Sequence, residues 1–146
     1  MSMETSAQTS DQDGFTAETF AQFWAAPVLS DATTSPIAED VTGYWPGDDE
    51  PLQGREAYVG ALAELLQIVP DLTLTVAASA HEGEHIFIRW VAHATGGDGL
   101  AMEHSGVDVI KVQEGKVVEN RIFFDRAQFE SKLGRSLALD GAASVL

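Results

Sequence analysis

The sequence predicts an α+β fold, a cone-shaped, strongly curved antiparallel sheet covered on its concave face by helices. Three observations predict it. Residues 86–124 hold three runs rich in β-branched and aromatic residues, separated by glycine-bearing turns. Residues 54–69 carry apolar side chains at helical spacing. The order of elements is helix, short strand, long helix and then four strands in meander, which gathers the helices to one side.

Taken in order, residues 1–14 are Ser, Thr, Gln and Asp with almost nothing to bury, and read as a disordered tail. They show neither the basic start nor the apolar run of a signal peptide. Thr16 is placed to cap a first helix, with Glu18 in its first turn and Phe20, Phe23 and Trp24 at helical spacing; Pro27 ends it. Leu29 to Glu39 fits either a short second helix or a loop. Val41–Trp45 reads as a short strand, and Pro46 to Pro51 as an acidic loop.

A clear amphipathic helix follows from Gly54 to about Val69, with Tyr58, Leu62, Leu65, Leu66 and Val69 on one stripe, and Pro70 stops it. Leu72–Ala80 is a strand in which Leu72, Leu74 and Val76 alternate with Thr73 and Thr75. The last three strands are Ile86–Thr95, Leu100–Val112 and Lys116–Phe124, joined by turns at 96–99 and 113–115. One folded domain, 15–130, is the expectation. A weak amphipathic turn at Phe129 and Leu133 then fades into a C-terminal tail, 131–146.

Composition narrows the function. The net charge of −15 argues against nucleic acid, which requires a basic surface, and against anionic membrane surfaces. There is no cysteine, so disulfide and thiol chemistry are excluded. No apolar run approaches the roughly 18 residues of a membrane span, and cytoplasmic residence is the default expectation. His81-Glu82-Gly83-Glu84-His85 matches the H-E-x-x-H pattern in letters only. Zinc chemistry needs both histidines on one helical face, whereas this segment joins two strands through a glycine, so no metal is expected.

Polar groups threaded through the strands mark the candidate site. Strand parity puts His104 and Asp108 on one face with Met102 and Ile110, and Glu103, Val107 and Lys111 on the other. The face with Glu103 and Lys111 is the wetter, so Asp108 and His104 point into the cone. A carboxyl in an apolar cavity has a raised pKa and serves either as a general base or as a protonated hydrogen-bond donor. Its neighbours depend on the turn. A two-residue turn pairs Asp108's face with Arg89 and His93; a three-residue loop brings Trp90 inward instead. The shorter turn is the commoner, so Arg89 and His93 are expected. Asp125 is a second carboxylate or a cap for Arg126–Leu133, and its position favours the cap.

AEDVTGYWPGDDEPLQGREAYVGAL, a Pro-Asp-Leu strand, a Trp-bearing strand and GVDVIKVQEGKVVEN together resemble the nuclear transport factor 2-like superfamily, nearest its SnoaL-like polyketide cyclases and ketosteroid isomerases. The resemblance spans roughly residues 15–130. It implies that Asp108 stands where the isomerases carry their oxyanion-hole aspartic acid, with Asn120 and Phe124 in the pocket wall. It also implies that steroid isomerisation is not the reaction. Trp45 replaces the isomerase base, and the first helix holds no tyrosine. SnoaL-like cyclases use an aspartate as acid/base, and epoxide hydrolases of the superfamily use an Asp-Arg-Asp set. By that resemblance the expected protein is a cofactor-free acid/base enzyme on a small apolar carbonyl-bearing or cyclic substrate. Asp108 acts with His104 as its partner and Arg89 alongside. The pocket is walled by Tyr44, Trp45, Leu62, Leu66, Trp90, His93, Asn120, Ile122 and Phe124. A non-catalytic binding protein on the same cone is the alternative. Val107, Val109 and Phe123 fall on the opposite face, which implies a homodimer.

Overall fold

The structure is a computed structural model and describes residues 14–137. Its elements are α1 (Ala17–Ala25), α2 (Asp31–Thr34), β1 (Ile37–Tyr44), β2 (Leu52–Gln53), α3 (Arg55–Ile68), β3 (Thr73–Glu82), β4 (His85–Thr95), β5 (Ala101–Gln113), β6 (Lys116–Phe123) and α4 (Arg126–Leu133). The six strands form one curved sheet in the order β2-β1-β6-β5-β4-β3. Among the described residues no helix is long and apolar enough to cross a membrane.

Thr16 caps α1 as expected, exchanging hydrogen bonds with Thr19 in a reciprocal box. The ambiguous stretch Leu29 to Glu39 holds the short helix α2, and its last residues, from Ile37, are strand rather than helix or loop, because β1 begins earlier than the expected Val41. β3 to β6 form an antiparallel meander. One pairing departs from the purely antiparallel expectation, because β1 lies parallel to β6. The chain leaves β1, crosses α3 and the whole meander, and returns along β1 in the same direction. Irregularities in register lie between Ile37 and Thr42, Val76 and Ala78, and Lys111 and Val112. An extra residue in one strand bends it, so these bulges help curl the sheet around its apolar face.

The expected tail at 1–14 lies outside the described residues except for Gly14, where Phe15 N–H bonds the Gly115 carbonyl at 2.8 Å. The packed domain also continues past residue 130. α4 runs to Leu133, and Leu137 is only 1% exposed. Arg126 draws that segment in, donating to the carbonyls of Pro46 and Leu137 and pairing with Asp48 at 2.8 Å. Residues 138–146 lie outside the described residues.

Candidate functional site

Asp108 sits mid-strand in β5, opposite Ile88 of β4 and Ile122 of β6, and is 6% exposed. Its inward direction follows from strand parity, as read from the sequence. Trp90 Nε1–H donates to its Oδ1 at 2.8 Å, and the Asn120 Nδ2 amide donates to its Oδ2 at 3.0 Å. The same Nδ2 donates to Tyr58 Oη at 2.9 Å. Side chains from β4, β5, β6 and α3 thus meet in one network. Burial pushes the Asp108 carboxyl up to about 6, with the Asn120 and Trp90 bonds holding the rise back. Burial likewise drives Tyr58 well above the usual phenol range, against the Asn120 bond and helped by the Asp108 charge, so the hydroxyl keeps its proton.

Two glycines clear space for the two aromatic donors. Trp90 pairs with Gly106, and a Cβ on Gly106 would lie 2.4 Å from the indole ring. The indole therefore crosses the strand over Gly106 to reach Asp108, two residues on. A Cβ on Gly43 would lie 2.8 Å from the Tyr58 ring. Glycine is required at both points by close approach, not by backbone conformation.

The network floors a cavity of about 390 Å³. Phe20, Phe23 and Trp24 of α1, Leu62 and Leu65 of α3, and Phe124 are among its apolar walls. The lining residues that reach solvent, such as Gln22 and Thr33, belong to α1 and α2, so the mouth opens there. No Lys or Arg lines it among the described residues.

The expected residues divide. Asp108, Asn120, Ile122, Phe124, Trp45, Leu62, Trp90 and His104 all line the cavity. Arg89 and His93 do not. The β4–β5 hairpin closes with Gly96 N–H on the Leu100 carbonyl at 2.8 Å, leaving a three-residue loop in which Gly99 has φ +81°. That loop length reverses the facing parity. Arg89 pairs with Val107 on the outer face, and His93 contacts Thr75 and Glu103 there, while Ile88, Trp90 and Ala92 turn inward. Tyr44, the last residue of β1, is also outside, its ring under Arg121 at 3.9 Å, while the next residue, Trp45, lines the cavity. Leu66 packs half-buried against the core without lining the cavity.

His104 lines the cavity but is not Asp108's partner. Four residues along a strand place the two about 13 Å apart. Its Nε2–H donates to the Asp125 carbonyl at 3.0 Å, and its Nδ1 accepts from Lys132 at 3.3 Å. The ring stacks on Phe129 at 5.0 Å. Burial holds its pKa below the ordinary histidine value, with nearby Lys132 adding to that, so it is a neutral clip joining β5 to α4. Asp125 is the α4 cap, accepting from Gln128 N–H at 3.0 Å. His81–Glu82 and His85 belong to strands on either side of a turn where Gly83 has φ +61°. The sequence reading did not assign Tyr58 to the site. Its signal was a polar aromatic within the otherwise aliphatic stripe of the 54–69 helix.

A curved α+β sheet holding a buried carboxyl at the floor of an apolar cavity defines the ketosteroid isomerase-like class of architecture. The chain belongs to the SnoaL-like polyketide cyclase family, whose model matches residues 16–133. Solved structures agree on the fold. A loop-truncation variant of IdmH is 26% identical with a TM-score of 0.69, over 81% of this chain and 98% of that one. TerC co-crystallised with polyporic acid is 16% identical with a TM-score of 0.67, over 80% and 92%. A protein of ketosteroid isomerase-like fold from Catenulispora acidiphila DSM 44928, in complex with trimethylamine, is 14% identical with a TM-score of 0.69, over 83% and 93%. No curated protein sequence matches the chain.

Proposed function

We propose that this protein is an acid/base enzyme acting next to a carbonyl in a small, apolar, cyclic substrate of polyketide type, with Asp108 as the base. The observation that carries the reading is a carboxyl at the floor of an otherwise apolar cavity, each of its oxygens held by an N–H donor. Those donors favour the carboxylate and burial favours the acid. The balance, near 6, suits a group that takes a proton and returns it at neutral pH.

In the proposed step Asp108 takes a proton from the carbon beside the carbonyl. The C–H electron pair becomes the C=C bond of an enolate, and the charge moves to the oxygen. The enolate carbon then attacks a second carbonyl carbon of the same molecule, whose C=O π pair moves to its oxygen and takes the proton back from Asp108, or the enolate is reprotonated by Asp108 at another carbon. The step needs no cofactor, since the carbonyl itself accepts the electron pair. An anionic substrate would enter the cavity without a counter-charge, so the substrate is uncharged.

A pH profile tests this reading. With the bicyclic ketone 1-tetralone in heavy water, protein-catalysed exchange of the α-hydrogens, followed by NMR, is expected to rise through a midpoint near 6 and level above it. The sign follows from the base, which is protonated and idle below its pKa. A flat or falling profile counts against it.

The outer face supports a second proposal. Phe87 is 39% and Phe123 54% exposed, and they pair across the sheet with Val109 and Val107 into one apolar row. Arg89, Lys111 and Arg121 share that face with Glu103 and Glu119, so a two-fold copy can set opposite charges together. A homodimer through this row is expected at tens of micromolar. Sedimentation showing only monomer, or a dimer unaffected by Phe123→Glu, counts against it.

A further inference from the structure

We infer that Tyr58 donates the hydrogen bond that holds the substrate's oxygen, and that Asn120 aims it. This rests on the reading of Asp108 as base, and two observations point to it. The first is the Tyr58 hydroxyl itself, which lines the cavity and accepts from Asn120 at 2.9 Å. None of the hydrogen bonds among the described residues uses its proton as donor. A hydroxyl whose oxygen already accepts from one side has its proton left for something in the cavity. The second is the Asn120 amide. Nδ2 spends both hydrogens, one on Tyr58 and one on Asp108, while its buried Oδ1 has no partner among the described residues.

That division ties the two groups together. When Asp108 is ionised it demands a donor, which fixes Nδ2 between it and Tyr58 and leaves the Tyr58 proton facing the cavity. When Asp108 is protonated, its O–H needs an acceptor, and the unpartnered Oδ1 supplies one if the amide turns over. Oδ1 then also accepts from Tyr58, whose proton is withdrawn from the cavity. Among the described residues no charged side chain lines the cavity beside Asp108: Tyr58 comes from α3, Trp90 from β4 and Asn120 from β6, and His104 on β5 is bound to α4. The base and the donor are therefore separated by a single amide nitrogen. That spacing suits a carbonyl oxygen on Tyr58 with its neighbouring C–H over Asp108. Tyr58 is the catalytic donor, and Asn120 is a positioning residue.

The test compares two probes that differ by one oxygen, 1-tetralone and the hydrocarbon tetralin, by quenching of tryptophan fluorescence. The wild-type protein at pH near 8 is expected to prefer the ketone by roughly tenfold, the size of one hydrogen bond in an apolar site. Tyr58→Phe is expected to erase the preference while tetralin binds as before. In the wild type the preference should fall as pH drops through the Asp108 midpoint. Asn120→Ala should flatten that pH dependence, which a merely structural role would not do. Tyr58→Phe that keeps the ketone preference overturns the inference. So does a wild type that binds neither probe, or both alike, or prefers the ketone most at low pH. The base reading fails separately, by tetralone exchange that persists in Asp108→Asn.

Discussion

Asp108→Asn is expected to abolish turnover while leaving the protein at least as stable as the wild type at neutral pH. The side chains are nearly isosteric, so no cavity opens. The new amide keeps an oxygen for Trp90 Nε1–H, and its NH₂ can be met by Asn120 Oδ1, the buried atom that otherwise lacks a partner. Meanwhile a buried charge disappears. The Asp108 pKa is raised from 3.8 to about 6, so the folded state binds more protons than the unfolded one between those values. Stability from this group therefore falls as pH rises through that window, by about 3 kcal/mol in all. The gap in melting temperature between variant and wild type should be absent near pH 3.5, where Asp108 is mostly protonated in both states, and full above the midpoint. A sharp drop in melting temperature with exchange activity intact would make Asp108 a structural residue and remove the centre of the proposed function.

Gly106→Ala is expected to be the most damaging single-methyl change in the sheet. The added Cβ would meet the Trp90 ring at 2.4 Å and the Phe123 carbonyl at 2.8 Å. The carbonyl is backbone of the adjacent strand and cannot swing away, so the indole must move. Overpacking of this kind costs about 1–3 kcal/mol, and the lost Trp90–Asp108 bond adds about 1 kcal/mol. A fall of several degrees in melting temperature is expected from calorimetry. Without its Trp90 donor the carboxylate is less favoured, so the midpoint of the exchange profile should move to higher pH. Unchanged melting temperature and midpoint would mean that the indole does not depend on the gap at Gly106.

Much of this was legible in the sequence because it rests on local periodicity. The alternation of 102–112 alone put Asp108 and His104 on the inner face, and the stripe of 54–69 gave a helix against the sheet. Pro27 and Pro70 lie just beyond the helices they were expected to stop. Asp125 took the cap that its place before Arg126 suggested. These features depend on residues a few positions apart, and steric and hydrogen-bonding rules act at that range.

What the tertiary structure alone decided is which side chains meet. Gly96 to Leu100 is equally rich in turn residues for a two- or a three-residue loop, yet that single residue sets the register. It sends Arg89 and His93 to the outer face and Trp90 to Asp108. Tyr58 reaches Asn120 across 62 positions of chain, over a glycine whose vacancy matters only once the ring lies on it. His104 looked like a partner for Asp108 because they share a face, but α4 folds back and takes both of its nitrogens. Strand parity selects a face and nothing more. The partner on that face is fixed by loop length and by elements distant in sequence, because hydrogen bonds and packing depend on separation in space.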